Sequence, residues 1–457
     1  MKLHHSQEVS SRRGLSSDEV RELCELVLSF AQADHTRVSV NSGWRGFTRT
    51  ATNRITTAGG STNTTVRVMS VFGQRVASVT TNNLDRSGLE QTVRDAEALA
   101  RLSPEDPEYL PELGQQEYGS VEGYYSSTGD LAPATRAEAM VLALDAARES
   151  NTVAAGFMDV QAGVQALATS KGLFAYYPST GVASTLTVRT PDGQSSGWAG
   201  DEAADWTSIE SQRISAAAVR KCLDWRGKGV LDPGEYEVVL EPTAVGMLMR
   251  NMRSTFDART ADEGRSYFSR SGGTRVGEKV FDEKITIRSD PGARDAETSP
   301  FIGDGSSVRP EVWVENGVLK ALSYSRSWAD RRGVEPRPPP QNLIMSGGDA
   351  TVQEMIESTR RGVLITRFWY IRGLNPRTMS YTGLTRDGTF LIENGRISRP
   401  VTNFRFNQSM VSFLQNVEML GLPTRVAASE NSSVSAPIVV PALKVRGFNL
   451  ASVSDAI

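Results

Sequence analysis

Residues 360–405 read RRGVLITRFWYIRGLNPRTMSYTGLTRDGTFLIENGRISRPVTNFR. Within them Ile392-Glu393-Asn394-Gly395-Arg396-Ile397 sets Asn-Gly between β-forming residues. That pair favours a type I′ turn, the tight turn of a two-residue hairpin. Val314-Glu315-Asn316-Gly317-Val318-Leu319 repeats the pattern upstream. The two segments predict a sheet containing two hairpins, and so a β-rich C-terminal region over 235–448. The stretch also holds nine arginines, no lysine and only Asp387 and Glu393 as acids, a local balance of +7. Phe368, Trp369, Tyr370, Tyr381, Phe390 and Phe404 are interleaved with them. Guanidinium groups bind carboxylates and phosphates as planar forks and stack on aromatic rings. One reading is a groove for an anionic or extended polymer. The other is a twisted sheet whose arginines pair with acids elsewhere in the chain.

Outward from this stretch, composition removes several chemistries. The chain has 457 residues, three histidines and a net charge of −3. His4, His5 and His35 are the only histidines. Histidine is the usual general base near neutral pH and the commonest metal ligand. HExxH zinc sites and Ser-His-Asp triads are therefore excluded from everything after His35. Cys24 and Cys222 lie far apart and belong to no CxxC spacing. Cys24 falls on an apolar helical stripe and reads as a core thiol. Two cysteines suit a reducing compartment. No apolar run reaches the roughly 18 residues of a membrane helix, and no signal peptide is evident, so a cytoplasmic protein is expected. The net charge gives no general pull toward nucleic acid.

The pattern predicts an α+β protein of three parts. Residues 1–102 form a mixed α/β domain. It opens with a capping box at Ser16 and Glu19 and a helix carrying Val20, Leu23, Val27 and Phe30. Strands are expected at 65–71 and 75–80, and a helix on Leu89, Val93, Ala96 and Leu99. The Pro- and acid-rich stretch 103–118 reads as a linker into a middle domain, 103–230. That domain is strand-rich over 153–198, between helices at 133–150 and 206–223. The third domain, 231–457, begins with a turn at 231–234 and a strand at 236–240. Pro242 then starts a helix expected to reach about Phe256.

Asp257, Arg259, Asp262, Glu263 and Arg265 cluster just beyond that helix. Their carboxylates could act as acid and base, but a salt-bridged loop accounts for them better. No P-loop or GxGxxG is present. The residues alone give no self-sufficient catalytic set.

Residues 362–370 (GVLITRFWY), Asn375-Pro376-Arg377-Thr378, the run Tyr381-Thr382-Gly383-Leu384-Thr385-Arg386-Asp387-Gly388, the two Glu-Asn-Gly turns, Pro400 and Asn407-Gln408-Ser409 resemble the TldD/PmbA family. The resemblance runs from about Val20 to Phe448 and is strongest after Glu235. It implies a cytosolic protease system of bacteria or archaea. The system is commonly a heterodimer of a zinc-bearing subunit, TldD, and a metal-free relative, TldE or PmbA. Together they cleave unfolded or small peptides. The older label "modulator of DNA gyrase" does not imply gyrase chemistry. The zinc-bearing branch carries HExxxH on the helix after the strand that opens its last domain, with a cysteine further on. Here the corresponding positions read Arg250-Asn251-Met252-Arg253-Ser254-Thr255, and no cysteine follows Cys222. Arg250, Asn251 and Thr255 stand as degenerate zinc-helix positions.

The expectation is thus a non-catalytic, metal-free TldE/PmbA-type subunit, with no catalytic residues or cofactor of its own. Its expected partner is a TldD-like zinc-bearing subunit, or a second copy, and its substrates are peptides. An edge strand could receive a peptide by strand addition. Arg367, Tyr370, Arg372, Arg377, Tyr381 and Arg386 are the expected groove or interface residues. Replacing Arg367 and Arg377 together is expected to weaken binding without unfolding. The rivals are a stand-alone peptide- or nucleic-acid-binding protein using 360–405, and a peptidase built on Asp257, Asp262 or Glu263. His4, His5 and His35 are expected to be dispensable.

Overall fold

Strict alternation builds the first sheet. In the strand His35–Ala51 (β1) every second residue from Thr36 to Thr50 is buried, as the two-residue period of a strand requires. β1 escapes a hydrophobicity reading because many of its buried positions are Thr36, Ser42, Gly46, Thr48 and Thr50. Only Val38, Val40 and Trp44 mark the apolar side. It joins Arg54–Phe72 (β2), Arg75–Thr81 (β3), Val153–Thr169 (β4), Phe174–Arg189 (β5) and Ser196–Ala203 (β6). Their order is β3-β2-β1-β4-β5-β6, antiparallel throughout. The structure is a computed structural model describing residues 14–428, 434 and 436–455. His4 and His5 lie outside the described residues.

Register puts Val38 opposite Ala168, Val40 opposite Ala166 and Trp44 opposite Ala162. Even-numbered residues of β1 and β4 therefore share one face, and four helices cover it. Ser17–Ser29 and Arg86–Leu102 pack on one end, through Val20, Cys24, Val27, Leu89 and Val93. Pro133–Glu149 and Ser211–Asp224 pack on the other, against Met158, Val160, Leu186 and Val188. The first helix has the expected capping box. The helix expected at 206–223 begins later. Trp206–Ser208 is a separate 3₁₀ turn capped by Asp205, and the α-helix starts at Ser211.

This sheet overrides the boundary expected at 102/103. β1 from the first part and β4 from the second pair residue by residue from Arg37–Thr169 to Thr50–Gly156. Residues 103–118 are no free linker either. They form a strap across the opposite face, where Leu113 and Tyr118 pack with Leu167, Leu173 and Phe301. The Tyr118 hydroxyl donates to Gly305 O at 2.8 Å, and Arg259 meets Glu108 at 2.9 Å.

The rest folds around two further sheets. Gly234–Leu240 pairs in parallel with Arg361–Ile365 and antiparallel with Leu443–Ser454 at the centre of a nine-stranded sheet. A six-stranded sheet of short strands faces the same core. The helix Pro242–Met249, buried along Ala244–Met249, fills the space between them. The two Asn-Gly turns have the expected backbone, with φ of +48° and +77° at Asn316 and Gly317 and +51° and +76° at Asn394 and Gly395. They do not belong to one sheet, however. Glu311–Glu315 turns back in the six-stranded sheet and Thr389–Glu393 in the nine-stranded one. A hairpin signal reports a local turn and carries no information on the sheet that receives it.

Candidate functional site

The helix that follows Gly234–Leu240 is α-helical only to Met249 and continues as a 3₁₀ segment, Arg250–Phe256. Polar side chains account for the change. Asn251 Nδ2 donates to Met247 O at 3.1 Å and Thr255 Oγ1 to Met252 O at 2.7 Å. Such local bonds compete with the regular helix ladder. Met252 and Phe256 keep the segment anchored in the core.

Against this segment stands the turn joining Phe368–Asn375 to Ser380–Thr385. The two enclose an open cleft of about 600 Å³, lined among others by Ser254, Thr255, Thr260, Arg265, Arg377 and Tyr381. The Tyr381 hydroxyl donates to Asn251 O at 3.4 Å. Burial raises the Tyr381 pKa above its ordinary value of 10, so the phenol is a neutral donor at physiological pH. Arg377 is exposed, and its backbone N–H is fixed by Asn375 Oδ1 at 2.9 Å.

The six expected groove residues separate into three environments. Arg377 and Tyr381 share the cleft. Tyr370 and Arg372 sit on an irregularity of their strand, with Tyr370 at φ +55° and the Arg372 guanidinium 3.9 Å from its ring centre. Both are exposed. Arg367 and Arg386 do not belong to a groove. Arg367 is buried, its Nη1 2.9 Å from Asp387 Oδ2 and its guanidinium 4.3 Å from the Trp198 ring centre. Arg386 lies over Trp369 at 4.3 Å, with Nε 3.9 Å from Asp387. Ser196 Oγ of β6 donates to Asp387 Oδ1 at 2.8 Å. This cluster joins the first sheet to the nine-stranded one, so Arg367 cannot be removed without leaving a buried carboxylate. Ser196 and Trp198 have no sequence signal, because their partners, Asp387 and Arg367, are distant in the chain.

The acids after the helix are all engaged. Asp257 Oδ1 accepts from Thr260 N at 2.7 Å and caps the short helix Ala258–Asp262. Asp262 accepts from Trp328 Nε1 at 2.8 Å and meets Arg332 at 3.4 Å. Glu263 is bound by Arg259 and Arg265, whose hydrogen bonds hold its pKa below the ordinary carboxylate value. Arg265, read from sequence as part of this cluster, also reaches the cleft.

A zinc ion does not fit the segment. Its side chains offer an amide and two hydroxyls already bonded to backbone carbonyls, and two guanidinium groups. Arg250 Nη1 donates to Ala428 O at 2.8 Å and Arg253 Nε to Pro340 O at 3.2 Å. Burial lowers the Arg253 pKa, and the like charge of the neighbouring Arg250 adds to it. Zinc takes thiolate, imidazole and carboxylate ligands. Among the described residues no group of three or more His, Cys, Asp or Glu is arranged to hold a metal.

Residues 233–452 match the PmbA/TldA metallopeptidase C-terminal domain, and residues 127–224 match its central domain. The chain belongs to the PmbA/TldD family. It is 26% identical over 211 residues to a metalloprotease of Methanothermobacter thermautotrophicus, a match covering 42% of this chain and 44% of that one. It is 23% identical over 195 residues to a TldD-homologue metalloprotease of Buchnera aphidicola, covering 38% and 40%. The chain thus spans less than half the length of these curated relatives. In structure it resembles TldE from Thermococcus kodakarensis with a TM-score of 0.83 at 17% identity, covering 94% of this chain and 99% of that one. A candidate modulator of a DNA gyrase from Thermotoga maritima gives 0.82 at 19%, with the same coverage. These two likenesses concern the fold. Among the described residues, no helix is long and apolar enough to cross a membrane.

Proposed function

We propose that this chain is the metal-free, non-catalytic subunit of a two-chain peptidase of its family, acting beside a zinc-bearing relative on unfolded or small peptides. One observation carries the reading. The segment that the sequence resemblance aligns with the zinc-bearing helix carries Arg250, Asn251, Arg253 and Thr255, none of them a zinc ligand. Two positive charges oppose cation binding there, and no histidine follows His35 to rescue it. The engaged state of Asp257, Asp262 and Glu263 supports the same reading against a peptidase of another mechanism.

The test is cleavage of an unstructured peptide by the purified chain, with and without added zinc, alone and mixed with an HExxxH-bearing relative. The expected result is no turnover by the chain alone at any zinc level, and turnover by the pair that exceeds the relative by itself. Zinc-dependent cleavage by the chain alone would contradict the proposal.

A further inference from the structure

The cleft beside Arg250–Phe256 has a chemistry of its own. Its lining contains no acid, whereas Arg265 and Arg377 both reach it. Arg377 has no carboxylate within ion-pair distance among the described residues, and neither do Arg250 and Arg253 on the adjoining 3₁₀ segment. Elsewhere guanidinium groups such as Arg45, Arg259 and Arg337 are matched to acids at 2.6–3.0 Å. Glu263, which pairs with the cleft residue Arg265, is held by Arg259 as well. Asp257 is occupied by the Thr260 backbone. Ser254, Thr255 and Thr260 bring hydroxyls to the wall, and Pro376 and Met379 give it an apolar side. Tyr381 adds a phenol whose present bond, 3.4 Å to Asn251 O, is long and well beyond the usual O–H···O distance. An anion with a better acceptor geometry can take that donor over.

We infer that this cleft binds a peptide carboxylate, held by the Arg377 fork with Tyr381 and Arg265 beside it. The inference rests on the reading that the chain handles peptides. A planar guanidinium offers two parallel N–H donors to the two oxygens of a carboxylate. A cleft of about 600 Å³ is of the size that accepts a small ligand or a few residues. The apolar wall suits the aliphatic body of a neighbouring residue. In this chain the cleft beside Arg250–Phe256 thus serves as an anion site. It would seat one end or one acidic side chain of a substrate while the chemistry proceeds elsewhere.

The carboxylate could be a chain terminus or an Asp or Glu side chain, and one experiment separates the two. Calorimetry on the full chain would use three acetylated pentapeptide probes. One is pentaalanine amide, which carries no carboxylate. The second is pentaalanine with a free C-terminus, and the third is an amidated pentaalanine with glutamate at its centre. At least one carboxylate peptide should bind about tenfold or more tightly than the neutral one, in line with the value of hydrogen bonds to charged groups. Arg377→Ala should abolish that difference, and Arg377→Lys should restore only part of it. Arg377 is exposed on a turn, and an unchanged melting curve would verify that both variants fold. Equal binding of all three probes, no binding at millimolar concentration, or full retention in Arg377→Ala would overturn the inference. So would inorganic phosphate displacing the peptide far better than acetate does. Because the assay uses this chain alone, its outcome stands apart from whether a zinc-bearing partner is captured.

Discussion

Arg367 and Arg377 are ten residues apart in one arginine-rich stretch, yet they have opposite roles. Arg367 is 7% exposed and paired with Asp387, which is 1% exposed. Arg367→Ala strands that carboxylate and should cost on the order of 3–5 kcal/mol. Arg377→Ala, at an exposed turn, should change stability by no more than about 0.5 kcal/mol. Urea unfolding of the two single variants measures both, and equal destabilisation would contradict the assignment. Composition showed that the stretch is cationic. It could not show which arginines meet Asp387, because that choice depends on where β6 docks. The cysteines were more legible. Cys24 lies on the predicted apolar stripe and is buried, and its thiol is pushed up to about 12 by burial. Cys222 is buried as well, and its pKa is also raised by burial. The thiolate is the reactive form. Neither should react with a disulfide reagent at pH 8 in the native chain, and both should titrate on unfolding.

At the scale of elements, turns and helix starts were readable because they depend on neighbouring residues. The capping box at Ser16, Pro133 and Pro242 at helix starts, and both Asn-Gly turns appear where local chemistry places them. A Cβ at Gly317 would lie 2.3 Å from Phe281 O, and one at Gly395 2.7 Å from Glu357 O. Gly317→Ala and Gly395→Ala combine that clash with positive φ, and each should lower stability by about 1–3 kcal/mol. Thermal melts check this, and a wild-type melting temperature in both would contradict the register. β1 was invisible for the opposite reason. Its buried side is mostly threonine, serine and glycine, and its order comes from β2 and β4 on either side. The strap 103–118 looked like a linker because its composition is that of one. Its position is set by Tyr118, Glu108 and Glu112, which reach distant partners. Glu112 titrates in a way that reports the strap. Burial raises its pKa above 4.5, against the opposing pull of Arg37 and Arg326. A carboxyl with a raised folded pKa stabilises fully below 4.5 and loses that contribution as pH rises through the raised value. Glu112→Gln should therefore show a smaller decline in melting temperature than wild type over that mildly acidic window.

Across the whole molecule, the first six strands form one sheet, so the chain does not divide at residue 102. A fragment ending at Leu102 lacks β4, β5 and β6 and should remain unfolded by circular dichroism. One ending at Asp224 retains the sheet and all four of its helices and should melt cooperatively. Family and fold were legible because 362–388 and the two Glu-Asn-Gly turns are long, specific runs. The cleft was only half legible. That stretch itself points to Arg377 and Tyr381, while Ser254, Thr260 and Arg265 come from a segment more than 100 residues earlier. The proposed role is that of the metal-free half of a two-chain peptidase. Its most direct test is to tag the chain in its native cell, purify it gently, and determine the mass and zinc content of what elutes. The expected result is a stoichiometric complex with a relative carrying HExxxH, with zinc matching that relative alone. Recovery of this chain by itself with one bound zinc per copy would contradict it.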